Sequence, residues 1–353
     1  MNNEAQKVRE EDSLDKEKLA HYLTKHLSQD ILAEELEIKQ FKGGASNLTY
    51  QLEWNNQKVI LRTAPKGANI KSAHDMVREY NVISKIRPHF AYAPKTIHLC
   101  EDKEIIGRAF YLMQKIEGII PRKEFPIPLC SSQATKISQE LIDVHIKLHE
   151  IDIEKTGLVE LGYPQGYIER QILGWNKRYK NARLKDSLQA NELMQWLQDH
   201  MPNDGVSSVI HNDYKLDNVV LSETEPTKII AVLDWEMTTI GSPLMDLGCS
   251  LAYWIEKDDS PAMQAIRMMP TSIDGMMTRK EIVAYYCDKR NISIDNFDYY
   301  YIFGLFRLAV IVQQIYYRYA QGKTSNPAFK NFGKLAAVLI QQAQKTQEKS
   351  QIC

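Results

Sequence analysis

One stretch constrains this chain more than any other. It is His211-Asn212-Asp213-Tyr214-Lys215-Leu216-Asp217-Asn218, followed further on by Leu233-Asp234-Trp235-Glu236. Two apolar runs, Val219-Val220-Leu221 and Ile229-Ile230-Ala231-Val232-Leu233, flank the turn-prone Ser222-Glu223-Thr224-Glu225-Pro226. That order reads as loop, strand, turn, strand, acid. A hairpin folds the chain back on itself, which predicts Asp234 near Asp213 and Asn218. Two carboxylates and an amide at one hairpin end suit phosphoryl transfer. One carboxylate accepts the proton of an attacking hydroxyl. The other, with the amide oxygen, holds Mg²⁺ against the phosphates of a nucleotide. The competing reading is a polar loop that merely caps a hairpin.

The spacing H-x-D-x-x-x-x-N, then a strand, then an Asp, resembles the catalytic and metal-binding segments of protein-kinase-like enzymes. The form HNDYKLDN with LDWE is similar to the aminoglycoside phosphotransferase and choline kinase family. It is most similar to the kinase-like domain at the N-terminus of some acyl-CoA dehydrogenases. The resemblance runs from about Phe41 to about Gly322. It implies an α+β, two-lobed protein-kinase-like fold, with a small antiparallel-sheet lobe and a larger, mainly helical one. It also implies ATP or GTP with Mg²⁺ as cofactors and a small-molecule hydroxyl as acceptor. Asp213 is then the base or orienting carboxylate, and Asn218 and Asp234 are the metal ligands. Lys215 steadies the transferring phosphoryl group, unless it is simply solvated. His211 is a strut for the loop. Asp246, in the Gly241-Ser242-Pro243-Leu244-Met245-Asp246-Leu247 segment, is a buried brace. Glu236 is assigned to metal or acceptor.

Further residues follow from the same resemblance. Leu36 to Lys42, Leu48 to Trp54 and Lys58 to Arg62 read as three strands, with Asn55-Asn56 turning the second into the third. The turn Gly43-Gly44-Ala45-Ser46-Asn47 would cover nucleotide phosphates, since glycine lets backbone amides approach closely. A plain glycine turn is the alternative. Arg62 stands where most kinases of this type carry Lys. Arg stays charged and grips phosphate with two N–H groups, but it is larger and less adaptable. A helix from about Ser72 to Ile86 offers Glu79 as its partner. Strands over 93–99 and 109–113 lead to a linker in which the main chain of Gln114 and Ile116 receives the adenine.

Several helices follow from apolar periodicity. They cover about 14–27, 133–149, 188–200, 278–288 and 299–322, with Thr278 and Glu281 forming a capping box. His145 and His149 are four apart, but no HExxH or other ligand set accompanies them, so exposed or packed helix histidines are expected rather than metal. Arg170, Trp175 and Arg178 at helical spacing, and Arg307 with Arg318 further on, are candidates for an acceptor pocket. A solvated polar face is the bland alternative for both groups. Residues 1–12 and 341–353 read as mobile ends. The expected organisation is an N-terminal helical extension over 1–35, a nucleotide-binding lobe over 36–116 and a catalytic lobe over 117–353.

Composition narrows the alternatives. The 353 residues exceed a single typical core. A net charge of −1, from 44 basic and 45 acidic residues, gives no reason to expect nucleic-acid binding. Five cysteines without CxxC spacing fit a reducing cytosol. No apolar run is long enough for a membrane span, and the polar start is unlike a signal peptide, so a cytoplasmic location is expected. The sequence does not set the oligomeric state. The expected function is transfer of a γ-phosphoryl group to a hydroxyl of a small molecule, a hydroxyacyl-CoA or related acid among the candidates. The rivals are an aminoglycoside kinase, a protein kinase and a pseudokinase. The short Trp235 to Asp246 segment and the lack of an A-P-E motif oppose the protein kinase.

Overall fold

A computed structural model describes residues 5–41, 47–65, 75–324 and 326–351. The chain divides into two compact units. The first comprises Met1–Ile120 with Val219–Met237, and the second Pro121–Asn218 with Thr238–Cys353.

The first unit is built on a six-stranded antiparallel sheet. Its strands are β1 (Ala5–Lys7), β2 (Glu37–Phe41), β3 (Leu48–Trp54), β4 (Gln57–Thr63), β5 (Thr96–Cys100) and β6 (Phe110–Gln114), in the order β1-β2-β3-β4-β6-β5. Asn55 and Asn56 adopt φ of 44° and 60°, the left-handed pair that a two-residue hairpin demands and that Asn tolerates. Helix α1 (Lys16–Leu27) begins at Asp15, whose carboxylate accepts from Lys18 N at 3.0 Å. Its Leu19, Ala20 and Leu23 pack into one core with Leu36, Leu48, Tyr50 and Leu52. Residues 16–35 are therefore part of this unit's core rather than an appendage. Helix α2 (Met76–Ile86) is capped by Asp75, through Arg78 N at 2.9 Å, and buries Met76, Glu79, Val82, Ile83 and Ile86. The expected start of this helix at 72–74 lies outside the described residues. A short α3 (Lys103–Ile106) completes this part.

Two expectations change here. Residues 5–12 are ordered: β1 pairs with β2, Gln40 donates to Asp12 Oδ2 at 2.8 Å, and Tyr50 OH donates to Asp12 O at 2.8 Å. The hairpin of Val219–Leu221 and Ile229–Val232 also groups with the first unit, not with the catalytic lobe assigned from sequence. The backbone explains why. Ile119 and Leu221 exchange hydrogen bonds at 2.8 and 2.7 Å, and Val232 N donates to Tyr92 O at 2.8 Å. The boundary therefore falls after Ile120, a few residues later than the expected end at 116.

The second unit is mainly helical: α4 (Ser131–His149), α5 (Tyr167–Ala182), α6 (Asn191–Asp199), α7 (Pro243–Ala252), α8 (Pro261–Ala265), α9 (Arg279–Arg290), α10 (Asp298–Ala320) and α11 (Phe332–Lys349). One small antiparallel pair joins Ser208–Ile210 to Thr239–Gly241. The capping box at Thr278 and Glu281 forms. Helix α10 is the hub and packs on α5, α7 and α11. Its crossing with α7 needs glycine, because a Cβ on Gly304 would lie 2.2 Å from Gly248 O, and one on Gly248 2.2 Å from Tyr300 O. Residues 341–349 are helical rather than frayed, since Leu339, Ile340 and Ala343 bury one face of α11. Among the described residues no helix is long and apolar enough to cross a membrane.

Candidate active site

In the second unit the catalytic loop hangs from one buried acid. Asp246 sits in the first turn of α7, fully buried. Its Oδ2 accepts from His211 N at 2.8 Å and its Oδ1 from Asn212 N at 2.7 Å. His145 Nε2 and His149 Nε2 complete the set at 3.0 and 3.2 Å. Burial alone would raise the Asp246 carboxyl. The hydrogen bonds from the two imidazoles overcome that and hold it well below the usual carboxylate range. Burial keeps His149 neutral, with its pKa pushed down to about 3. His149 Nδ1 then accepts from Tyr286 OH at 2.8 Å. Asp246 thus fixes the backbone on which the loop begins. The two histidines are hydrogen-bond partners to it, and Asp246 supplies the third ligand that was not evident beside them in the sequence.

The loop itself is closed by side chains. Asn212 takes φ 65°, a left-handed value that Asn accepts more readily than most residues. Asp213 N donates to His211 Nδ1 at 3.2 Å, the contact of a strut. Asn218 Nδ2 donates to Asp213 O and to Asp213 Oδ2, each at 2.9 Å. Lys215 Nζ bonds the same Oδ2 and lies 3.7 Å from Asp217. Burial would lower the Lys215 ammonium, but the Asp213 carboxylate, Tyr253 and Asp217 outweigh it and hold it above its ordinary value. Tyr214 anchors the loop from beneath, with its OH on Leu141 O at 2.7 Å and its ring stacked on His145 at 4.1 Å.

The first unit carries a second set of predicted residues. Arg62, on β4, places Nη2 3.0 Å from Asp234 Oδ1, 3.4 Å from Glu79 Oε1 and 3.7 Å from Glu236 Oε2. Burial lowers the guanidinium's affinity for its proton, and the Glu79 and Asp234 carboxylates more than restore it. Glu79 shows the opposite balance. Burial raises its carboxyl and the charge of Arg62 only partly offsets this. Asn47 Nδ2 donates to Glu236 Oε2 at 2.6 Å, and Arg78 Nη1 to Glu236 O at 2.9 Å. Glu236 is therefore bound up with this unit's cations. Asp234 holds φ 66°, a strained value that Asp tolerates and that often marks functional positions. Trp235 pins the turn, its Nε1 on Val232 O at 2.9 Å and its ring edge-on to Phe90 at 5.7 Å.

Other expectations fare unevenly. Gly43, Gly44, Ala45 and Ser46 lie outside the described residues. The N–H of Gln114 is taken by Lys95 O at 2.8 Å, because β6 continues to that residue. Gln114 therefore offers no free N–H to an adenine. Arg170 bonds the carbonyls of Tyr163 and Gln165 in its own loop, and Arg318 is exposed near the end of α10. Those two do not join the others. Trp175, Arg178 and Arg307 do come together, with both guanidinium groups against the indole ring. Sequence reasoning missed that His145 and His149 serve Asp246. Their four-residue spacing does place them on one helix face. The acid they meet is about a hundred residues away.

Each unit, taken by itself, offers a hard oxygen donor of the type that suits Mg²⁺. Asp234 supplies a carboxylate on a side chain 34% exposed. The amide nitrogen of Asn218 is committed to Asp213, so its hard Oδ1 is the atom left for a cation.

The chain resembles known proteins over most of its length. Residues 37–270 match the model of the phosphotransferase enzyme family. Acyl-CoA dehydrogenase family member 10 of Mus musculus is 33% identical over 310 residues, which is 87% of this chain and 29% of that protein. The chain thus spans under a third of that relative's length. A crystal structure from Ralstonia eutropha, of a protein assigned by inference to the aminoglycoside phosphotransferases, is 29% identical with a TM-score of 0.78, covering 96% of this chain and 99% of that one. Choline kinase from Cryptosporidium parvum shares the fold at 12% identity, with a TM-score of 0.65, over 95% of this chain and 96% of that one. Motif, α+β architecture and family match converge: the chain belongs to the phosphotransferase enzyme family and has the kinase-like fold of its small-molecule kinases.

Proposed function

We propose that the protein transfers the γ-phosphoryl group of ATP or GTP to a hydroxyl of a small molecule, with a hydroxylated acyl-CoA or related acid as acceptor. The observation that carries the reading is the Asp213–Lys215–Asn218 cluster, held on a backbone that Asp246 fixes through two N–H bonds. Asp213 orients the acceptor hydroxyl and receives its proton. Lys215 offsets negative charge on the transferring group. Positioning and charge stabilisation supply most of the rate in such reactions. Asn218 and Asp234 hold Mg²⁺, which neutralises phosphate charge when bound. Arg62 grips phosphate, its orientation set by Glu79, and the main chain at 114 and 116 receives the base. The kinship with acyl-CoA dehydrogenase family proteins motivates the acyl acceptor.

A nucleotide-binding pseudokinase is the one rival with an observation behind it: Arg62 is engaged by three carboxylates, Asp234 among them. Titration of ATP with and without Mg²⁺ separates the two. The wild type should bind ATP in a Mg²⁺-dependent manner and Asp234→Asn should lose that dependence. Asp213→Asn should retain binding and lose about 10²–10⁴-fold in turnover against a hydroxyacyl-CoA panel. Binding indifferent to Mg²⁺ and to Asp234 would favour the pseudokinase.

A further inference from the structure

We propose that Arg307 and Arg178, gathered on the ring of Trp175, form a subsite for an anionic group on the acceptor. The assignment rests on the phosphotransferase reading of Asp213 and adds to it the charge of the substrate. The guanidinium carbon of Arg178 lies 4.5 Å from the Trp175 ring centroid and that of Arg307 lies 5.2 Å from it. An aromatic face attracts each cation, yet two like charges on one ring repel. Burial and the charge of Arg307 both lower the affinity of Arg178 for its proton. An oxyanion bridging the two forks would relieve that repulsion, and the planar guanidinium matches carboxylate and phosphate alike.

The location ties this pair to the chemistry. Arg307 is 3% exposed, Trp175 is 7% exposed and Arg178 is at the surface. Exposure thus rises from Arg307 through Trp175 to Arg178. Arg307 lies within electrostatic reach of Asp213, Tyr253 and Tyr167. Tyr253 carries Lys215 over its ring at 4.9 Å, and Tyr167 OH donates to Asn212 Oδ1 at 3.3 Å. The fold puts them there by local means. Trp175 and Arg178 are three apart on α5, and Arg307 follows Gly304, where α10 approaches α7. The acceptor is thus a hydroxylated anion, its hydroxyl at Asp213 and its negative group further out. A polycationic sugar would meet two fixed positive charges.

Calorimetric titration with three probes tests this: 3-hydroxyhexanoate, its methyl ester and 3-hydroxyhexanoyl-CoA. The free acid or the thioester should bind at least tenfold more tightly than the neutral ester. Arg178→Gln and the charge-conserving Arg307→Lys should each weaken the anionic probe at least fivefold and leave the ester unchanged. Loss confined to the thioester identifies phosphate as the anion, and loss with the acid identifies carboxylate. Equal binding of all three probes, no binding of either anionic probe, or variants that bind like wild type would overturn the assignment. Arg178 is exposed, so its variant should fold even if Arg307→Lys does not. Mg²⁺-ATP binding in the same samples separates the two ideas. Its absence in the wild type removes the phosphotransferase reading, while the probe titrations still decide the subsite.

Discussion

Asp246 and Glu79 are both buried acids, one in each unit, and they are treated in opposite ways. Asp246 accepts four hydrogen bonds, two from backbone N–H groups and two from imidazoles. Among the described residues Glu79 makes no hydrogen bond of good geometry, and Arg62, 3.4 Å from it, is shared with Asp234 and Glu236. A buried carboxylate with its lone pairs satisfied is rigid and stabilising, whereas one without partners is a standing cost. The first arrangement fixes a loop. The second leaves Arg62 with several nearly equivalent partners, which suits a residue whose ligand carries its own negative charge.

The comparison is broken most directly by deleting each acid. Asp246→Ala should cost about 3–5 kcal/mol in urea unfolding, because it leaves buried donors without an acceptor. Glu79→Gln should stay within about 1 kcal/mol of wild type, because the charge it removes is poorly supported. Equal costs would mean that hydrogen-bond satisfaction does not distinguish the two sites.

Protons give a smaller and sharper test. His149 titrates near its ordinary 6.5 when unfolded but only at about 3 when folded. Between those values the unfolded chain binds more protons, so stability rises with pH, by up to about 1.4 kcal/mol per pH unit. Glu79 works the other way. Its folded pKa is raised above 4.5, so the folded state holds more protons and stability falls as pH rises through that window. The difference curve between wild type and His149→Gln should therefore slope upward from about pH 3 to 6.5. That between wild type and Glu79→Gln should slope downward above about 4.5. A flat His149 difference curve would mean that the imidazole is protonated in the folded protein.

Legibility followed sequence separation. The Asp213–Asn218 pair, the Asn55-Asn56 turn and the Thr278–Glu281 box are settled within five residues, so residue type and spacing suffice to read them. Arg62 and Glu79 were recoverable only through the family resemblance, which pairs a basic residue on the third strand with an acid on the next helix. The brace was not. Asp246 could be read as buried from its apolar neighbours, but not that His145, 101 residues earlier, would donate to it. Nor could Trp175 be told from an ordinary core aromatic before α10 delivered Arg307 to its ring. Strand β1 escaped because three residues carry no periodicity, and it exists only by pairing with β2. The contiguous lobes drawn from the sequence failed at the hairpin over 219–237, whose affiliation depends on backbone pairing with Ile119 and Tyr92. Side-chain patterning does not encode such pairing.

The smallest expected effect asks where the brace ends. Tyr286 donates to His149 Nδ1 at 2.8 Å, and Arg290 Nη1 reaches the same hydroxyl at 3.3 Å, so α9 forms a third layer behind Asp246. The His149 nitrogen is buried, and Tyr286→Phe leaves it without a donor while preserving the ring. The cost should be about 1 kcal/mol, seen as a lower urea midpoint with an unchanged slope. A cost near zero would place the end of the network at His149, with Tyr286 contributing only its ring. A cost approaching that of Asp246→Ala would mean that the four layers from His211 to Arg290 act as one cooperative unit. The catalytic loop would then be held from α9 as firmly as from α7, which would set Asp246 further apart from Glu79 still.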